Sequence, residues 1–175
     1  YELLLGLVGS EMCIRDRKKD KGMNIMPLFH IHGLIASLLS SIVTGSSVVC
    51  TSGFNALTFY GNIKNFKPTW ITAVPTMYQA ILSRASRNKE IIQASSLRLL
   101  RSSSAAMPVA TIEALENAFQ CPVIESYGMT EASHQMASNF LDTTRKPGSV
   151  GKSAGPEIAL LRDNKLITLA NTVGE

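Results

Sequence analysis

Cysteine is scarce in this 175-residue sequence, and Cys13, Cys50 and Cys121 are the whole supply. They form no C-x-x-C pair, so neither a zinc-ribbon site nor a disulfide framework is supported. A reducing compartment, not a secreted one, is the expectation. A dense Lys/Arg stripe is also missing. The net charge of +4 is spread along the chain, as ordinary solvated charge is. That argues against nucleic-acid binding while leaving room for an anionic substrate. No uninterrupted apolar run reaches membrane length. The nearest approach, residues 31–49, is broken by Gly33, Thr44, Gly45 and five serines, which predicts a buried helix followed by a buried strand and no transmembrane segment. Internal repeats and low-complexity tracts are absent.

What remains, 45% hydrophobic and 17% charged residues, suits one soluble unit with a sizeable core. Residues 1–17 read differently. Their apolar run, 3–8, is too short for a span and lacks the flanks of a signal peptide. The string GSEMCIRDR resembles translated sequencing adaptor, so this segment is expected to be foreign to the native protein. Residues 18–154 read as one α/β unit. Buried strands are predicted at 47–50, 70–74, 97–102 and 122–126, from Val, Ile and Leu with little polar alternation. Helices are predicted at 33–44, 56–66, 75–86 and 108–119, the last two opening on proline. In the last, Val109, Ile112, Leu115 and Phe119 fall on one face. Alternating strand and helix predicts a largely parallel sheet flanked by helices. From 155 the pattern changes to a hairpin, 157–161 and 166–169 about an Asp163-Asn164 turn, and a β subdomain is expected to start there.

Four segments could carry chemistry. The first is Glu125-Ser126-Tyr127-Gly128-Met129-Thr130-Glu131, which leaves a predicted strand where α/β sheets bind ligands. Gly128 allows a close backbone bend. Thr130 offers a hydroxyl to a phosphate oxygen, Glu131 a hard oxygen to Mg²⁺, and Tyr127 a flat face. The plainer alternative is a turn in which Thr130 caps a helix beginning at Glu131. The second, Arg101 to Pro108, brings Ser104, Ala105 and Ala106 to a helix start, where small residues let a planar base lie close and an anion is favoured. A serine-rich capping loop is the alternative. The third holds His30 and His32. Their spacing invites a metal reading, but no carboxylate or cysteine nearby completes a site. His30 lining a pocket, or simply satisfied at a helix start, fits better. The fourth, Val74, Pro75, Met77 and Tyr78, either walls a pocket or packs in the core.

In order, PLFHIHG, TAVPTMY, RSSSAAMP, ESYGMTEASHQM and KPGSVGKSAGPEI resemble the adenylate-forming (AMP-dependent synthetase/ligase) superfamily of acyl-CoA synthetases, luciferases and peptide-synthetase adenylation domains, over residues 23–175. YGMTE is the most specific string. HQM after YGMTEAS resembles the oxalate–CoA ligase-like branch, near the 4-coumarate–CoA ligases. The resemblance implies part of the family's large N-terminal α/β domain. It implies ATP, Mg²⁺ and coenzyme A as reactants and cofactors, and a small carboxylic acid as substrate. It places Ser104, Ala105 and Ala106 against adenine, and Glu125, Ser126, Tyr127, Gly128 and Met129 around the nucleotide. Thr130 would bind the α-phosphate and Glu131 would hold Mg²⁺. His30, with Val74, Pro75, Met77, Tyr78 and Gly128, would border the acyl and coenzyme A pocket, and Val150-Gly151-Lys152 would close the floor. His30, Thr130 and Glu131 are thus the catalytic candidates. The family's phosphate loop would precede Met23. Its ribose-gripping Thr-Gly-Asp and lysine-bearing C-terminal domain would follow Gly174-Glu175. The chain alone is therefore expected to be inactive. A non-catalytic nucleotide- or acyl-binding module is the alternative, and a cytoplasmic or peroxisomal location is implied.

Overall fold

Short aliphatic runs separated by helix formers leave this chain one economical arrangement, a covered sheet with its connections on both faces. The computed structural model describes residues 14, 15, 17–168, 172 and 173. The expectations for residues 1–13 and 16, and for the hairpin end at 169 and Gly174-Glu175, lie outside these.

The central sheet has seven strands in the order β2-β1-β3-β4-β5-β6-β7. β1 (Lys21–Asn24), β2 (Ser47–Cys50), β3 (Trp70–Ala73), β4 (Leu99–Ser102) and β5 (Val123–Tyr127) pair in parallel. β6 (Ala137–Ser138) turns back antiparallel to β5, and β7 (Lys152–Ser153) pairs antiparallel to β6. The helical connections are α1, α2 (Phe59–Phe66), α3 (Pro75–Leu82), α4 (Lys89–Gln93) and α5 (Val109–Phe119). α1 is composite: Ile31–Gly33, a π-helical stretch Leu34–Leu39, then Ser40–Val43. α3 opens with Pro75 in its first turn, where the missing N–H is not needed. α2 and α5 end on left-handed Lys67 and Gln120, each with a proline close behind.

Alternation along the strands sorts the core. Ile71, Ala73, Leu100 and Val123 point one way, with Met23 and Ile25. There they meet Phe59 and Ile63 of α2, Tyr78 and Ile81 of α3, and Ile112, Leu115 and Phe119 of α5. Trp70, Leu99 and Ile124 point the other way and cluster with Ile14. Two residues further along that second face, Thr72, Arg101 and Ser126 take their place, all buried. The face therefore changes from apolar to polar toward the carboxyl ends of the strands. At the opposite end, Asp20 fastens three segments. It accepts from Arg98 Nε (2.9 Å) and Nη2 (2.7 Å), from Thr69 Oγ1 (2.9 Å) and from the Arg17 N–H (2.8 Å). Burial pushes its carboxyl up, but the bonds from Arg98 and Thr69 outweigh that and hold it below the usual value.

The four predicted strands are present within two residues of the expected bounds, and the mostly parallel α/β class holds; β2, expected to be buried, lies at the sheet edge and is half exposed. β1, β6 and β7 were not anticipated. β1 reads KGMN, too polar and short to announce itself, yet it lies inside the sheet. The helix expected to run to 86 stops at Leu82, and a 3₁₀ turn, Ala85–Asn88, leads into α4. Val109 is 41% exposed and not part of the buried helix face, because it sits in the first turn beside Gly148. The hairpin is narrower than expected, β8 (Leu161–Arg162) against β9 (Lys165–Leu166), as a separate two-stranded sheet. Asp163 and Asn164 both have positive φ, as a two-residue primed turn requires. Among the described residues no helix is long and apolar enough to cross a membrane.

Candidate active site

Three segments distant in sequence meet past the carboxyl ends of β4 and β5. They enclose a cleft of about 270 Å³ lined by Ser104, Ala105 and Ala106, by Glu125, Ser126, Tyr127 and Gly128, and by Gly148, Ser149 and Val150. The first two groups are the serine-rich and YGMTE segments nominated by sequence. Small-molecule sites usually begin at roughly 300 Å³, so this volume is that of a small or partly walled site. Larger grooves of about 380 and 590 Å³ run beside α4, but no nominated residue lines them.

At Gly128 the returning backbone packs directly against the chain. A Cβ there would fall 1.2 Å from the His134 carbonyl oxygen, so the chain can fold back at this point only with glycine. The return is fixed by the Met136 N–H to the Tyr127 carbonyl (2.9 Å) and the His134 N–H to the Met129 carbonyl (3.1 Å). Ser104, Ser133 and His134 all have positive φ without being glycine, a conformation that clusters at functional sites.

Thr130 and Glu131 lie just beyond this bend, in the 3₁₀ turn Thr130–Ala132, exposed to solvent and off the cleft lining. The alternative in which Thr130 caps a helix fails: the turn has no side-chain cap, and Met129 precedes it in extended conformation. Met129 and Tyr127 are both about half exposed. Glu125 lines the cleft, and its Oε2 accepts from the Gly148 N–H (2.9 Å).

Behind Ser104 lies a buried polar cluster in which Thr72, Arg101, His134 and Gln135 had no role assigned from the sequence. His32 Nδ1 is 3.0 Å from Ser104 Oγ, and its Nε2 is 2.6 Å from Thr72 Oγ1. The His134 ring stands 5.5 Å from that of His32. Arg101, wholly buried, donates from Nε to Ser126 Oγ (3.1 Å), from Nη1 to the Ala36 carbonyl (3.1 Å) in the π stretch of α1, and from Nη2 to Gln135 Oε1. Its Nη2 also lies 3.5 Å from His134 Nδ1. Burial, then the Arg101 charge, then His30, push His32 down to about 3. The same causes, with His32 itself, hold His134 well below its ordinary value. Both imidazoles are therefore neutral near pH 7. With the Arg101 guanidinium facing Nδ1, the tautomer protonated at Nε2 is favoured, and that buried atom has no hydrogen-bond partner among the described residues. A charged residue inside an apolar strand, Arg101, was the sequence signal for this cluster.

Other nominated residues lie elsewhere. Tyr78 is fully buried, its hydroxyl donating to the Arg101 (2.8 Å) and Ile71 (3.1 Å) carbonyls, and burial raises its pKa well above the ordinary value. Pro75 is buried and Met77 packs on the main core. Val74 only precedes α3. The segment packs in the core and does not line this cleft, because α3 turns its apolar face onto β3 and β4. His30 is exposed and accepts at Nδ1 from the His32 N–H (3.2 Å), as a residue satisfied at a helix start does. Among the described residues no group of three or more His, Cys, Asp or Glu could hold a metal ion.

A mostly parallel sheet with a small-residue cleft beyond two adjacent strands is the arrangement in which α/β proteins bind ligands. The chain belongs to the AMP-binding enzyme family, which matches residues 4–175. It is 43% identical over 162 residues to an oxalate–CoA ligase of Arabidopsis thaliana, covering 90% of this chain and 31% of that protein. Among solved structures it resembles an anthranilate–CoA ligase in complex with anthranoyl-AMP, with TM-score 0.84 and 30% identity over 99% of this chain and 34% of that one. It also resembles an O-succinylbenzoate–coenzyme A synthetase from Bacillus subtilis in complex with ATP and magnesium ion, with TM-score 0.81 and 28% identity over 97% of this chain and 35% of that one. The chain spans about a third of the length of the curated relatives it matches.

Proposed function

We propose that the protein carrying this chain joins a small carboxylic acid to coenzyme A by way of an acyl-adenylate, and that the cleft holds the AMP portion. The observation that carries this reading is the meeting of Ser104, Ala105 and Ala106 with Tyr127 and Gly128 across one cleft, in a member of a family whose solved relatives include an anthranoyl-AMP complex. Small side chains on one side and an exposed aromatic on the other leave a slot suited to a planar base.

In the first half-reaction a carboxylate oxygen of the acid attacks the α-phosphorus of ATP, and pyrophosphate departs. In the second the coenzyme A thiol attacks the acyl carbon, its proton is lost, and AMP leaves. The chain's part is to hold the reacting groups and to offset charge. Thr130, exposed next to the cleft, offers its hydroxyl to the α-phosphate. Glu131 offers one carboxylate. A single carboxylate with phosphate oxygens is a fitting donor set for Mg²⁺, which binds few protein ligands in nucleotide sites and would supply charge neutralisation. A small acid agrees with the oxalate–CoA ligase likeness. Free Cys50 and Cys121 suit a reducing compartment, cytoplasm or peroxisome.

ATP–pyrophosphate exchange by the full-length protein, run with oxalate, malonate, acetate and a long-chain fatty acid, tests the proposal. Exchange with the dicarboxylates is expected. Glu131→Ala should lower it by roughly 10²–10³ while leaving folding alone. Exchange with none of the acids sinks the function, and an unaltered Glu131→Ala rate sinks that residue's role.

A further inference from the structure

The cleft's third wall, Gly148 to Val150, belongs to no helix and to no strand. It nevertheless has a defined place, and the bonds that give it one converge on a single buried side chain. Asn139, 5% exposed, follows directly after β6. Its Nδ2 donates to the Ser149 carbonyl (2.6 Å), and its Oδ1 accepts from the Lys146 N–H (3.1 Å). One amide therefore grips both ends of the turn that the Ser149 N–H closes onto the Lys146 carbonyl (3.1 Å). The amide orientation is not arbitrary: a backbone donor faces its oxygen and a backbone acceptor its nitrogen.

Asn139 is itself anchored to the opposite wall. Its N–H donates to the carbonyl of Glu125 (2.9 Å), whose side chain holds the Gly148 N–H. Just past the loop, Gly151 has φ +80, and a Cβ there would fall 2.1 Å from the Ser138 carbonyl oxygen, so the loop leaves pressed against the same strand. Without the Asn139 amide, the Lys146–Ser149 turn keeps its own closing bond but loses two ties to the sheet.

We propose that Asn139 is a positioning residue for nucleotide binding: through its bonds to Lys146 and Ser149 it sets the distance between the Gly148–Val150 wall and the Ser104–Ala106 wall. This rests on the AMP reading of the cleft. Asn139 does not touch the ligand, and it acts through the loop.

AMP is the probe, titrated calorimetrically into the full-length protein. A residue needed only for folding lowers the fraction of competent molecules, so stoichiometry falls and the dissociation constant stays. A positioning residue raises the dissociation constant at unchanged stoichiometry. For Asn139→Ala the expected result is a rise of roughly 5- to 30-fold, equivalent to two lost hydrogen bonds. Asn139→Asp keeps the acceptor for Lys146 but turns a carboxylate oxygen onto the Ser149 carbonyl, so its dissociation constant should rise at least as far as that of Asn139→Ala. It also keeps the test decisive should the alanine variant fail to fold. A dissociation constant within twofold of native for either folded variant, or a fall in stoichiometry alone, overturns the proposal. Failure of the native protein to bind AMP at all would instead overturn the functional reading beneath it.

Discussion

Acidifying the protein should unfold it through its buried imidazoles. His32 has an ordinary value of 6.5 and is held at about 3 in the folded chain, first by burial and then by the Arg101 and His30 charges. The unfolded chain binds a proton near pH 6.5 that the folded chain refuses until about pH 3. Unfolded molecules therefore carry more protons throughout that window, and stability falls as pH falls. At about pH 5 the loss from His32 alone is about 2 kcal/mol. His134, also depressed, adds a loss of the same sign. The stabilisation is whole above pH 6.5 and continues to drain toward the folded value. The assay is urea unfolding of the full-length protein at about pH 7.5, 6 and 5, with native protein and His32→Gln compared at each. Glutamine can occupy the Ser104 and Thr72 bonds without titrating, so the variant's dependence on pH should be shallower by about 2 kcal/mol at about pH 5. An equally steep native and variant profile would show that His32 is not held neutral by its surroundings. A flat native profile would refute the argument for both histidines.

The remaining expectations concern single positions. Gly128→Ala brings a methyl group into the His134 carbonyl. The 128–135 return must shift, and AMP affinity measured by calorimetry should drop at least about tenfold, with a destabilisation of more than about 2 kcal/mol. Asp20→Ala removes the carboxylate from a guanidinium that is 19% exposed and keeps its bonds to the Ile14 and Arg15 carbonyls, and should cost about 1–3 kcal/mol in urea unfolding without touching the cleft. Tyr78→Phe removes one hydroxyl donating to two buried carbonyls; a loss of about 1–3 kcal/mol with AMP affinity unchanged is expected, and a selective loss of affinity would return that residue to the site.

The parallel sheet was legible because strands covered on both faces are written in nearly continuous Val, Ile and Leu. β1 was not, since KGMN gains its burial from neighbours and not from its own side chains. The two halves of the cleft could be read because each combines small or bent residues with the exit of a strand. Its third wall could be read only as a string, KPGSVGK, with no local sign that Asn139 and Glu125 would hold it. TAVPTMY was ambiguous for a physical reason: an aromatic and a methionine behind a strand suit a pocket wall and a core equally, and the direction of α3 puts Tyr78 in the core. Arg101 was quoted as part of a motif but assigned nothing, although a guanidinium in an apolar strand must find several acceptors, and those acceptors draw α1, β5 and the His134 loop together.

The parallel pairing has a consequence for synthesis. Lys21 of β1 bonds Thr69, next to β3, 48 residues further on, so on the ribosome β1 waits for its second neighbour. At ordinary elongation rates that wait is roughly 2–10 s. Through it one flank of β1 stays unpaired, and a chaperone acting on the nascent chain has that interval in which to shield it.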